Sequence, residues 1–204
     1  MSDHPYLPGR VVHPDDVRDR PDAWPVSDST THYDTSYLRL THETIVAPDG
    51  SEHGRAVVRP HGAVAVLALD DDDRLLLVQQ YRHPVAARLV ELPAGTLDVA
   101  GESPEDAAAR ELAEEADVVA RRWEPLLQLT ATPGYSSERW QVFRASGLTA
   151  VPEADRTERQ AEEAEIQQWW LPFDDAVDAA LAGAFGDALS IAAVLAEQTR
   201  RSRA

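Results

Sequence analysis

Three carboxylates, Glu111, Glu114 and Glu115, stand at relative positions 0, 3 and 4 in the run Arg110-Glu111-Leu112-Ala113-Glu114-Glu115. On a helix all three share one face. Like charges so spaced repel by roughly 0.2–0.5 kcal/mol per pair on an open helix, so the arrangement is unfavourable unless something positive joins it. Mg²⁺ is the natural candidate, because it takes oxygen ligands, keeps several waters and favours one or two carboxylates plus substrate phosphates. A charge run alone is more often a solvated helix face. Its surroundings decide here. Arg110 lies four residues before Glu114 and eight after Glu102, and can brace carboxylates from both the helix and the loop before it. Gly95 and Gly101 bracket that loop, where exposed backbone groups can face a phosphate or supply a carbonyl ligand.

The totals agree with a metal-assisted reaction on a small phosphorylated ligand. The chain has 204 residues, a formal charge of -17 and no Cys, and its 19 basic residues are all Arg. Disulfides, thiolate ligands and cysteine nucleophiles are excluded, as are a P-loop lysine and a Schiff-base lysine. The acidic balance argues against nucleic acid as partner, since phosphate-backbone binding needs a basic face. An acidic pocket still binds a polyphosphate when a divalent cation sits between carboxylates and phosphates. No apolar run is long enough for a membrane span, and the N-terminus lacks the basic and apolar stretches of a signal peptide, so no membrane partner and a cytoplasmic location are expected.

The elements that must hold these residues read as an α+β chain with a mixed sheet between helices. Residues 1 to about 35 show no sustained period and read as loop or a docked arm. Strand-like runs from Tyr37 to Ala47 and Arg55 to Val58 flank the turn Pro48-Asp49-Gly50. Ala63 to Leu69 and Leu75 to Gln80 read as a second hairpin around Asp70 to Asp73, followed by a strand at Leu89 to Leu92. Ser103 as N-cap, Pro104 at the first helical position and Asp106 three residues after the cap predict a helix running to about Ala116. Further strands are expected near Glu124 to Leu129, Trp140 to Ala145 and Ile166 to Leu171, the last packing through Trp169 or Trp170 after an exposed acidic loop from Glu153 to Glu165. Helices follow at Asp174 to Ala182 and Asp187 to Arg200, with the final arginines fraying into solvent.

The pattern Gly95-x6-Glu102-x7-Arg110-Glu111-Leu112-x-Glu114-Glu115-x-Asp117-Val118 resembles the Nudix box. It departs from the usual form by one extra loop residue before Glu102 and by Asp117 where the family carries Gly; Asp tolerates a left-handed helix end better than most residues. Gln80-Tyr81-Arg82-His83-Pro84, Glu91-Leu92-Pro93-Ala94-Gly95 and Thr132-Pro133-Gly134-Tyr135-Ser136-Ser137-Glu138 are similar to the ADP-ribose pyrophosphatase branch, with Pro133 as its marker.

The resemblance implies a Nudix-type α/β/α sandwich over residues 61–204, preceded by a small antiparallel β-rich segment, residues 1–60, that dimerises and closes over substrate. It implies Mg²⁺, or Mn²⁺ in competition, held by Glu111, Glu115, Glu114 and the Ala94 carbonyl, with Arg110 bracing the catalytic helix. Arg82 would contact the diphosphate and Glu138 the distal ribose, with Gly95 and Arg55 as further substrate contacts. Tyr37, Tyr33 or Trp24 would face adenine across a homodimer. The catalytic base of this branch lies on a later loop, aligned here with Glu162 and Glu163; Glu163 is the first choice and Glu162 the second. A metal-bound carboxylate has lowered basicity, so a separate carboxylate must activate water. The expected reaction is hydrolysis of a nucleoside diphosphate sugar, ADP-ribose first. The alternatives are GDP-mannose or another nucleotide sugar, a dinucleotide, or a Nudix-fold sensor that binds without turnover.

Overall fold

The computed structural model describes residues 2–3, 6–159 and 164–203. Strands β1 (Ser2–Asp3) and β2 (Arg10–Val11) pair with each other. Strands β3 (Val26–Asp34), β4 (Leu38–Val46) and β5 (Glu52–Pro60) form an antiparallel sheet in that order. The Nudix-like part follows with β6 (Ala63–Ala68), β7 (Arg74–Arg82), β8 (Ala87–Glu91), β9 (Ala94–Thr96), α1 (Pro104–Ala116), β10 (Val118–Thr130), β11 (Arg139–Ala150), β12 (Gln167–Pro172), α2 (Phe173–Leu181) and α3 (Ala188–Ser202). One sheet runs β10-β11-β6-β9, with β11 and β6 parallel and its other pairs antiparallel; the other runs β12-β7-β8.

Alternation along β6 explains the layering. Every residue of Ala63–Ala68 is buried, so both faces of the strand must be covered. Ala65, Leu67 and Leu69 face Leu75, Leu77, Phe173 and the helices α2 and α3. Val64, Val66 and Ala68 face Leu76 and the helix α1 through Ala107, Ala108, Leu112 and Ala116. The three alanines let α1 lie close to the sheet, and Leu112, fully buried, contributes about 1.5–3 kcal/mol by leaving water.

Helix α1 begins and ends as its sequence predicts. The Ser103 hydroxyl accepts from the Asp106 amide at 3.1 Å and donates to the Asp106 carboxylate at 2.7 Å, leaving that carboxylate on the cap side chain. At the other end Asp117 adopts the left-handed conformation, φ 52°, and its amide reaches back to the Ala113 carbonyl. That is the geometry a glycine usually supplies.

Several expectations change. Residues 26–34 form a strand, β3, although they were expected within a loop; each of its residues is exposed, so no hydrophobic period marks it. Strands β6 and β7 belong to different sheets and share the isolated bridge between Leu69 and Leu75, because β6 pairs with β11 and β9 while β7 pairs with β12 and β8. Strand β10 starts at Val118, six residues earlier than expected, with a bulge between Pro125 and Leu127. Neither Trp169 nor Trp170 is a core anchor; both are about 40% exposed. Arg200 and Arg201 do not fray: both bind the fully buried Glu197, and Arg201 also pairs with Asp73 and lies over the Phe173 ring.

Candidate active site

The acidic face of α1 lies against β9, and the fit is close. A Cβ at Gly95 would stand 1.9 Å from Cδ of Glu111, so only glycine leaves room for that carboxylate. The Ala94 amide donates to Oε2 of Glu115 at 2.8 Å, fixing the buried end of the second carboxylate. Arg110 spans the rest: its guanidinium binds Glu102 at 3.1 Å through both oxygens, Glu111 at 2.7 Å and Glu114 at 3.1 Å. The hydrogen bonds that Arg110 donates to Glu102, with the charge of Glu111, hold its guanidinium protonated far above the usual range. One guanidinium thus offsets the repulsion between neighbouring carboxylates at a helix spacing that would otherwise be unfavourable.

A second ion pair faces this helix from β7 and β8. Arg82 binds Glu91 bidentately, with Nη2 at 2.7 Å and Nε at 3.0 and 3.1 Å. Burial works against the Arg82 charge, but the Glu91 carboxylate outweighs it and the pKa is raised. Gln80, on the same face of β7 as Arg82, donates to Glu91 at 3.2 Å and to Glu115 at 3.5 Å.

A cavity of about 240 Å³ opens where these groups meet, lined among others by Tyr37, Arg82, Glu91, Ala94, Gly95 and Glu138. Glu138 arrives on the loop that follows β10. That loop is pinned to β5 by the Val58 amide on the Tyr135 carbonyl and the Ser137 amide on the Val58 carbonyl, while the Ser136 hydroxyl accepts from the Glu138 amide. Trp140 separates this cavity from a larger one of about 620 Å³ beside Arg20, Pro21 and Arg139.

The structure brings some of the residues singled out in the sequence together and leaves others apart. Arg82, Ala94, Gly95, Glu138 and Tyr37 line one cavity, and Glu111 and Glu115 pack against its Gly95 and Ala94. Arg55 does not join them; it is exposed on the edge strand β5, and its side chain donates to the Gly54 carbonyl. Trp24 and Tyr33 are exposed away from the cavity lining. Glu162 and Glu163 lie outside the described residues. Gln80 and Glu91 acquire contacts that sequence reasoning did not assign them; the one readable signal was the position of Gln80 in phase with the buried Leu76 and Val78 of β7.

A family model described as NUDIX domain matches residues 59–193. The chain belongs to the NUDIX family. It is 41% identical over 171 residues to the ADP-ribose pyrophosphatase of Mycobacterium tuberculosis (strain ATCC 25618 / H37Rv), covering 84% of this chain and 81% of that protein. Identity to the ADP-ribose pyrophosphatase of Bacillus subtilis (strain 168) is 37% over 116 residues, 57% of this chain and 62% of that one. The crystal structure of an ADP compounds hydrolase shares the fold, with a TM-score of 0.73 at 21% identity, over 89% of this chain and 96% of the other. The protein is a Nudix hydrolase.

The Nudix helix fits a divalent cation by its donor set. Among the described residues no three acidic or histidine side chains converge as a ready-made cation cage. Mg²⁺ does not need one, because it binds through one or two carboxylates, waters and substrate phosphates. Glu111 and Glu115 supply hard oxygen donors one helical turn apart, Glu115 fixed by the Ala94 amide of β9 and Glu111 packed against the bare backbone of Gly95.

The departure from the Nudix pattern at Asp117 also has a structural counterpart. Its carboxylate accepts from Nη2 of Arg159 at 2.5 Å, and Nε of Arg159 donates to the Glu114 carbonyl at 2.7 Å. Asp117 therefore serves both as the left-handed helix end and as the anchor of residue 159, a pairing glycine cannot make.

Proposed function

We propose that this Nudix hydrolase cleaves the diphosphate of a nucleoside diphosphate sugar, with ADP-ribose giving AMP and ribose 5-phosphate as the preferred reaction and Mg²⁺ as the cation, Mn²⁺ substituting. The observation that carries the reading is the single cavity lined by Arg82, Glu138, Ala94 and Gly95, with Glu111 and Glu115 of the Nudix helix packed against Gly95 and Ala94. The names of the relatives support the substrate class.

The parts divide as follows. Glu111 and Glu115, with the Ala94 carbonyl, hold the cation, which when bound neutralises diphosphate charge and acidifies water. Arg82 presents a guanidinium to the diphosphate, held in orientation by Glu91. Glu138 accepts from hydroxyls of the distal ribose. Glu163, with Glu162 as the second choice, takes the proton of the attacking water as its oxygen bonds to phosphorus and the bridging P–O bond breaks. A volume of about 240 Å³ falls below the roughly 300–1,000 Å³ of pockets that enclose whole ligands, so the nucleoside half extends past Trp140 toward the larger compartment.

The 1–60 segment acts as a dimerising and substrate-closing unit. In support, β3 is exposed throughout, with Val26 and Tyr33 open on it and Trp24 just before it, an arrangement suited to cover by a second copy in a homodimer. The test is a comparison of kcat/KM over ADP-ribose, GDP-mannose and dinucleotide polyphosphates, with products identified, together with Glu163→Gln. ADP-ribose should lead the panel, and the variant should retain substrate binding while losing most turnover. A flat panel refutes the substrate, and an unchanged kcat refutes the base.

A further inference from the structure

We infer that Gln80 and Glu91 are positioning residues that set the distance between the diphosphate-binding guanidinium and the metal-side carboxylate; this rests on the reading of the site given above. Gln80, Glu91 and Glu115 are all buried, 3%, 6% and 5% exposed. Two buried carboxylates facing one amide would repel each other unless a donor stood between them. The Gln80 carboxamide is that donor: its nitrogen reaches Oε2 of Glu91 at 3.2 Å and Oε1 of Glu115 at 3.5 Å. A carboxamide carries two N–H groups in a fixed planar fork, so it can serve both acceptors at once.

Each carboxylate is committed a second time. Glu91 receives the bidentate Arg82 guanidinium, and Glu115 receives the Ala94 amide on its other oxygen. The chain Arg82, Glu91, Gln80, Glu115, Ala94 thus runs from the diphosphate contact to β9 as one line of hydrogen bonds behind the cavity. Neither Gln80 nor Glu91 need touch the reacting atoms. Their action is to keep two groups, which must engage one diphosphate together, at one separation. Outer partners of metal ligands of this kind typically change metal affinity or activity by about 10–100-fold when removed.

The experiment compares wild type, Gln80→Leu and Glu91→Gln in the full-length protein, with Leu76→Ala on the same strand as a packing control. Calorimetric titration with Mn²⁺ in the absence of substrate reads Glu115 directly, and steady-state kinetics read kcat and KM separately. Gln80→Leu should weaken Mn²⁺ binding by about tenfold or more and lower kcat, whereas Glu91→Gln should act first on KM through Arg82. The double variant should cost less than the product of the single effects, because the residues act as one unit. Leu76→Ala should lower Tm and leave Mn²⁺ affinity unchanged. Wild-type affinity and kcat in Gln80→Leu overturn the inference, as does a Tm loss in it with both intact. Wild-type turnover of ADP-ribose judges the functional reading separately from the ratio of metal affinities.

Discussion

Gly95→Ala should uncouple activity from stability, and the structure sets the scale. The added Cβ would stand 1.9 Å from Cδ of Glu111 and 2.1 and 2.3 Å from its oxygens. Carbon atoms rest at about 3.5–4.0 Å, so the carboxylate must retreat by roughly 1.5 Å. The backbone cannot move in its place without loss, because Gly95 pairs with Val64 and the adjacent Ala94 amide is bonded to Glu115. The Glu111 carboxylate is the far end of a flexible side chain held by Arg110, and it gives way before the backbone does. Metal–oxygen distances tolerate only about 0.2 Å, so the displaced group ceases to be a ligand. Misplacement by about 1 Å already costs on the order of 10²-fold in rate. Gly95→Ala should therefore lose at least about 10²-fold in kcat and bind Mg²⁺ more weakly by calorimetry, with Tm within about 3 °C of wild type. Gly186→Ala, where a Cβ meets nothing within 4 Å, should change neither. Wild-type Mg²⁺ affinity and kcat in Gly95→Ala would show that Glu111 is not needed where it stands.

Glu197→Gln should lower stability at pH 7 by roughly 2 kcal/mol, or about 4–8 °C in Tm, because a fully buried carboxylate among Arg144, Arg200 and Arg201 loses its charge. Burial raises the Glu197 pKa, but the arginine hydrogen bonds outweigh it and the net value lies below 4.5. A depressed folded value stabilises above the unfolded one, so calorimetric Tm values of variant and wild type should converge as pH falls below about 4.5. Asp117→Ala should destabilise by about 1–2 kcal/mol in chemical denaturation, since it loses both the left-handed tolerance and the Arg159 pair. Asp117→Gly keeps the conformation and should lose less; equal losses would refute the backbone share of the effect.

How far the fold was legible follows from where burial writes a pattern. Helix α1 was readable to the residue because Ser103, Pro104 and Asp117 are each required by backbone geometry that local sequence controls. Strand β3 was not, because an exposed strand such as Val-Ser-Asp-Ser-Thr-Thr-His-Tyr-Asp carries no alternation to detect. The β6–β7 pair looked like a hairpin from its turn, yet which sheet a strand joins depends on long-range pairing that no local signal encodes. The carboxylates of the site were legible from spacing together with family resemblance. Gln80 and Glu91 were overlooked because their roles arise only when β7, β8 and α1 converge.

Removing the cation tests how the fold tolerates its own active site. The chain has a formal charge of -17 and no Lys, and its buried Glu91 and Glu197 are matched by the planar forks of Arg. Around the Nudix helix Arg110 binds Glu102, Glu111 and Glu114 together. That partial neutralisation lets the site form before any cation arrives, and its remaining negative charge then attracts one. Stabilisation by a ligand grows as RT ln(1 + [L]/Kd), about 2.7 kcal/mol at a hundredfold excess over Kd. EDTA should therefore abolish turnover while lowering Tm by no more than about 10 °C, leaving the secondary structure unchanged by circular dichroism. In Arg110→Ala the carboxylates lose their fixed counter-charge, and chelation should lower Tm by more than it does in wild type. Unfolding of wild type by EDTA, or equal chelation effects in both proteins, would mean that Arg110 does not stand in for the cation.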